Sequence, residues 1–226
     1  MRFPLLIPHR AVAAAFAAIL IVLAGPASAQ PVVPVSDPEV ILARVMERNP
    51  TLQSFEASVH VDLHMTSFPF LAPKLDGHSY FKRPNSYEVV FERMPSYAKN
   101  FSRLYSDIGD PSSWTKRFTI AVVGERTIEK HRDIELRMVQ RVRGMIDHES
   151  VFVDPEAWAI DEIDYHYYNG GTIAMTQTFR SLGGYSVIAE QHVNVAIPHV
   201  HAVGTAVYSG YRTNVALDDS VFEKTR

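Results

Sequence analysis

The sequence predicts a mainly antiparallel β protein of the α+β class, with a few helices beside one large sheet. Three observations carry this. From Phe55 to Met65 apolar and polar residues alternate at every position, the pattern of a strand with one buried and one wet face. Strand-like segments then fill most of the second half of the chain, separated by turn signals rather than helices. Helical spacing recurs in only two places after residue 36, too few to cover a sheet of about ten strands. The uncovered apolar face must then close into a barrel or stay open as a concave binding surface.

In chain order, residues 1–29 have the parts of a cleavable secretory leader. Arg2 and Arg10 supply the positive start, Ala11 to Ala24 the apolar run, and Ala27-Ser28-Ala29 the small residues of a cleavage site. The apolar run is short for a membrane span, which needs roughly 20 residues. Cleavage after Ala29 and a periplasmic location are expected. Residues 30–36 form a proline-containing lead-in, and a single domain is expected over 37–226.

Asp37 caps a first helix, with Pro38 at its first position and Asn49-Pro50 as its stop. The alternating strand follows, then strands near 77–82 and 86–93. A second helix is expected over 96–108, where Tyr97, Phe101, Leu104, Tyr105 and Ile108 share one face. Strands are expected at 116–124, 131–143, 149–154, 157–168, 171–180, 185–197 and 200–216. In 157–168 the apolar register slips by one at Asp161-Glu162, which predicts a bulge. Asn169-Gly170-Gly171 and Gly183-Gly184 read as tight turns.

Composition narrows the chemistry. The chain has no cysteine, so disulfides, thiolate metal sites, a cysteine nucleophile and an acylated N-terminal cysteine are excluded. Its net charge is −3, and the leader carries two arginines and no acid. That balance, without a basic run, argues against nucleic acid and against anionic membrane surfaces as main partners. His60, Asp62 and His64 share a strand face, and His192, His199 and His201 lie together in sequence. They pose a metal site against the simpler reading of a polar sheet face; no metal and no cofactor is expected. Asp161, Glu162 and Asp164 pose acid–base work against a solvated acidic edge. No phosphate loop, dinucleotide fingerprint, serine elbow or His-Glu-X-X-His motif occurs, so no catalytic residue is assigned and an enzyme is the least favoured class. The aromatic set Trp158, Tyr165, Tyr167, Tyr168, Tyr185 and Tyr208 is read as core or cavity wall.

Two stretches resemble the LolA-like family of periplasmic lipoprotein carriers. Leu52-Gln53-Ser54-Phe55-Glu56-Ala57-Ser58 is similar to the opening of the family's first strand, and Phe81-Lys82-Arg83-Pro84-Asn85 to its strand-joining turn. Val151 to Pro155 resembles a strand and turn of the broader lipoprotein-sorting group, and Tyr211–Val215 with Asp218–Phe222 its ending. The resemblance implies a half-open β-barrel whose helices lid an apolar concave face holding acyl chains. It implies acylated lipoprotein or lipid cargo, an inner-membrane donor, an outer-membrane acceptor, and a monomer. Moving one C16 chain from bilayer to water costs on the order of 12 kcal/mol, at about 0.8 kcal/mol per CH₂, so a soluble carrier needs an equally apolar slot. Phe55, Val59, Val61, Leu63, Phe81, Tyr87, Val89, Phe91 and Trp158 are the expected lining. Arg83 takes over the family's role of an arginine that hydrogen-bonds the lid backbone. Guanidinium suits that role because it offers several fixed donors that do not titrate. The alternative is a hydrophobic-ligand sensor of the same fold that regulates a protein partner.

Overall fold

The computed structural model describes residues 37–84, 86–93, 111–128 and 131–222. The expected leader, the lead-in and the helix over 96–108 lie outside the described residues.

Helix α1 spans Pro38–Glu47. The Asp37 carboxylate accepts the Glu39 N–H at 2.9 Å, and Pro38 occupies a first-turn position that needs no donor. Ile41 and Leu42 are its fully buried side chains, each worth about 1.5–3 kcal/mol of burial. They pin the helix to the core by its middle.

The strands are β1 (Ser54–Met65), β2 (Lys74–Lys82), β3 (Ser86–Phe91), β4 (Phe118–Ile128) and β5 (His131–Gln140). Then come β6 (Ile146–Asp154), β7 (Ala159–Tyr167), β8 (Thr172–Leu182), β9 (Tyr185–Ile197) and β10 (Val200–Thr213). β2 starts earlier than expected because the long β1 pairs with it as far as Asp62–Lys74. A helical turn, α2 (Trp114–Arg117), stands where a strand was expected to begin. Trp114 is fully buried there, and burying one large ring outweighs weak local strand preference. β5 ends at Gln140 and β6 begins at Ile146, so their loop lies three residues earlier than expected. The expected bulge is present: Phe152 faces Glu162 and Val153 faces Ile160, which leaves Asp161 as the extra residue. Gly183 and Gly184 both have positive φ, 58° and 86°, as a two-residue hairpin turn requires.

All pairings are antiparallel, in the order β3-β2-β1-β10-β9-β8-β7-β6-β5-β4. β3 and β4 are the two free edges, so the sheet is an open half-barrel. The first long strand, β1, pairs with the last, β10, in the body of the sheet. One register row runs Leu63, Gly204, Val193, Met175, Ile163, Val151, Leu136, Val122 across eight strands. Its buried members belong to one core. The neighbouring row, Lys74, Asp62, Thr205, His192, Thr176, Glu162, faces outward and is polar. Strict alternation in the sequence thus becomes a two-sided sheet with one apolar face. The C-terminal end of α1 and the β2–β3 and β8–β9 turns gather at one end of the strands. The β1–β2, β5–β6, β7–β8 and β9–β10 connections lie at the other.

Candidate functional site

A cavity of about 540 Å³ lies between α1 and the sheet, inside the range of roughly 300–1,000 Å³ typical of small-molecule sites. Its roof is the C-terminal half of α1 and the turn beyond it, Ala43, Val45 to Asn49 and Leu52. One wall is Phe55, Phe81 and Tyr87, from β1, β2 and β3; the other is Phe179 and Ile188, from β8 and β9. Phe55 stacks on Phe81 at 5.4 Å and meets Tyr87 and Tyr211 edge-on at 6.4 and 5.3 Å.

Phe55, Phe81 and Tyr87 of the expected lining stand at the cavity. Val59, Val61, Leu63 and Val89 lie further along their strands, buried in the core. Buried side chains from β4 to β7 pack in the same core. Phe91 and Trp158 pack on the margin of that core. Trp158 sits in the β6–β7 turn at φ 52°, with the Arg44 guanidinium 5.1 Å from its ring. Tyr165 and Tyr208 are core residues, Tyr168 is exposed, and Tyr185 bonds Asn214 at 2.9 Å.

Polar bonds hold the roof on both sides. Arg83 Nε donates to the Leu52 carbonyl at 2.7 Å, and Arg83 Nη2 to the Asn49 carbonyl at 2.7 Å, with a longer 3.4 Å approach to Met46. These carbonyls lie in the last turn of α1 and just beyond it, where helical acceptors run out of partners and a cation is favoured. On the far side, Asn49 exchanges two bonds with the Ser186 backbone, at 2.8 and 3.0 Å. Arg48 donates to the Ser186 carbonyl at 2.9 Å and lies 3.9 Å above the Phe179 ring. Burial lowers the Arg48 pKa to about 10, so it stays charged at neutral pH. The motif Arg83-Pro84 points to the first clasp in the sequence. The second has no signal there, since Asn49 reads only as a helix stop before Pro50.

A polar relay that sequence reasoning missed reaches the cavity at Gln177 and Ile160. Tyr208 donates to Gln191 at 2.5 Å, Gln191 to Gln177 at 3.1 Å, and Gln177 to the Ile160 carbonyl. Ser79 donates to the Tyr87 hydroxyl at 3.1 Å. Burial pushes the Tyr87 and Tyr211 hydroxyls above the ordinary tyrosine range. These groups are neutral and satisfied, so they do not draw water into the apolar space.

The histidines and acids lie elsewhere. His60 bonds Asp76 at 2.7 Å, and His192 meets Thr205 at 3.1 Å and Glu190 at 3.4 Å. Among the described residues no group of three or more His, Asp and Glu side chains is placed to hold a metal ion. On the outer face Arg126 clamps Glu162 and Asp164 at 2.5 and 3.4 Å. Burial, with Glu162 beside it, raises Asp164 to about 6.

Three solved structures share this architecture. A DUF1329 family protein from Desulfovibrio piger matches with a TM-score of 0.63 at 12% identity, over 82% of this chain and 95% of its own. A LolA superfamily protein from Nitrosomonas europaea matches at 0.62 and 12%, over 81% and 96%. The fold is LolA-like. A Vibrio parahaemolyticus domain assigned to outer membrane lipoprotein sorting also matches the LolA-like fold, at 0.62 and 8%, over 82% and 95%. No protein-family model matches the chain, and no curated protein matches it by sequence.

Proposed function

We propose that this protein carries acyl chains of lipoproteins or lipids through the periplasm towards the outer membrane. It acts by binding, without covalent chemistry. The observation that carries this is the cavity itself: an apolar space of about 540 Å³ under a helix held by breakable polar bonds. Phe55, Phe81, Phe179 and Ile188 offer an acyl chain the apolar contact it loses on leaving a bilayer. The Arg83 and Asn49 clasps must give way as the chain enters, so part of the binding free energy goes into opening. A carrier benefits, because cargo held less tightly is released more readily. The LolA-like fold and the leader-like start of the sequence support the same reading.

Mass spectrometry of the protein purified from the periplasm tests it. Acylated lipoprotein or lipid is expected to co-purify, and to transfer from inner-membrane vesicles to outer-membrane acceptor vesicles. Ile188→Trp narrows the cavity and should reduce both. A protein that copurifies empty and takes up no acyl probe would refute the assignment, and uptake without transfer would refute the carrier role.

A further inference from the structure

The most exposed large apolar side chains are not at the cavity. Phe70, Val142 and Met145 are 82%, 83% and 79% exposed, and every other large apolar side chain among the described residues is 50% exposed or less. Phe70 stands on the β1–β2 loop beside Phe68, ring centroids 6.2 Å apart. Val142 and Met145 stand on the β5–β6 loop. Register places both loops at the same end of the sheet: Met65, Ala202, Val195, Ile173, Tyr165, Glu149 and Met138 form one row across it.

Basic residues surround the second tip. Arg141 and Arg143 flank Val142 in the loop. The Arg141 N–H donates to the Arg117 carbonyl at 2.8 Å, which brings Lys116 and Arg117 alongside. The Tyr168 N–H donates to the Met145 carbonyl at 3.2 Å, and Arg143 lies 4.5 Å from the Tyr168 ring. The nearest acid along the chain, Asp147, is engaged by His148 at 2.8 Å. Although the whole chain is net negative, the fold gathers Lys116, Arg117, Arg141 and Arg143 at one end.

We propose that this end docks reversibly on an anionic lipid surface. The apolar groups are separate tips on two loops rather than one continuous groove, so they suit a deformable bilayer interface better than the shaped pocket of a protein. The cations supply the charge complementarity that an anionic bilayer rewards, and Tyr168 has the amphipathic ring favoured at the headgroup level. The cavity is at the other end of the sheet, so docking requires no ligand in it and stands independently of the carrier reading.

Co-sedimentation of the purified protein with phosphatidylcholine vesicles, with and without phosphatidylglycerol, tests the proposal. Binding is expected only to the anionic vesicles and should weaken as salt rises. Arg141→Glu with Arg143→Glu should weaken it by about 25-fold, at roughly five-fold for each cation removed. Val142→Ser with Met145→Ser should weaken it about ten-fold or more. All four side chains are exposed, so unchanged thermal unfolding is the expected check on folding. Arg83→Leu should leave vesicle binding intact, which separates the tip from the cavity. Equal binding to both vesicle types would overturn the proposal, as would tip variants that bind like the parent. Tip variants that change the oligomeric state by light scattering but not vesicle binding would also overturn it, assigning the patch to self-association.

Discussion

Arg83→Leu is the sharpest perturbation the structure offers. It removes two hydrogen bonds of 2.7 Å from a guanidinium to the carbonyls of Leu52 and Asn49. A hydrogen bond with a charged partner contributes about 1.5–3 kcal/mol. Both sites are only part-buried, so water satisfies the freed carbonyls in part, and the combined loss should be about 2 kcal/mol. For a domain of this size that lowers Tm by about 4–8 °C. The same energy should reappear with opposite sign in binding. If an acyl chain enters only after the clasp opens, removing the clasp should tighten its Kd by up to about 30-fold, at 1.4 kcal/mol per tenfold. Titration with a fluorescent long-chain fatty acid, beside a thermal melt, reads both quantities. Arg83→Lys, which keeps the charge but not the fork, should fall between. A lower Tm with unchanged or weaker binding would refute the reasoning and leave Arg83 a structural strut.

Other outcomes follow from the same geometry. Asp133 is fully buried with neither carboxylate oxygen hydrogen-bonded, and burial, with Asp161 and Asp154 nearby, lifts its pKa from 3.8 to about 6. The folded state therefore holds this proton more tightly than the unfolded chain, so stability should fall as pH rises from about 4 to 6. Asp133→Asn should remove that part of the slope and add about 2 kcal/mol at neutral pH, measured by urea unfolding; identical midpoints at neutral pH would contradict this. In Gly77→Ala the new Cβ would come within 2.5 Å of the Val90 carbonyl oxygen, so edge strand β3 must shift, at a cost of about 1–3 kcal/mol; a parent-like midpoint would argue against that crowding. Tyr208→Phe strips the Gln191 oxygen of its buried donor and should cost about 1–2 kcal/mol. Adding Gln191→Leu should recover part of the loss, and additive losses would show that the relay is not coupled.

Local rules made much of the fold legible. Asp37-Pro38 marks the helix start, the alternation from Phe55 to Met65 marks the longest early strand, and the slipped register at Asp161 marks the bulge. Long-range pairing was not legible. Nothing in the residues says that β3 and β4, consecutive strands, occupy opposite edges. For the same reason Phe55 and Phe81, which belong to neighbouring strands, could be placed at the site, whereas Phe179 and Ile188 could not. They reach the cavity only because β8 and β9 end beneath α1. Gln177 and Gln191 gave no signal either, since a glutamine on an apolar strand face becomes meaningful only once its cross-strand partners are known. Trp158, whose aromatic character suggested the cavity, sits in a turn on the margin of the core, a position no local pattern signals.

The β1–β10 seam also fixes an order of events. Phe55 finds its partner in Thr213 and Met65 in Ala202, at the far end of the chain. Strands β4 to β10 zip by short hairpins, but β1 keeps one open edge until the last strand has been made. Contacts of such sequence separation form slowly, and an unpaired apolar strand edge invites aggregation. A chain cut short before residue 200 therefore has no seam to close, and the sheet is complete only when β1 meets β10.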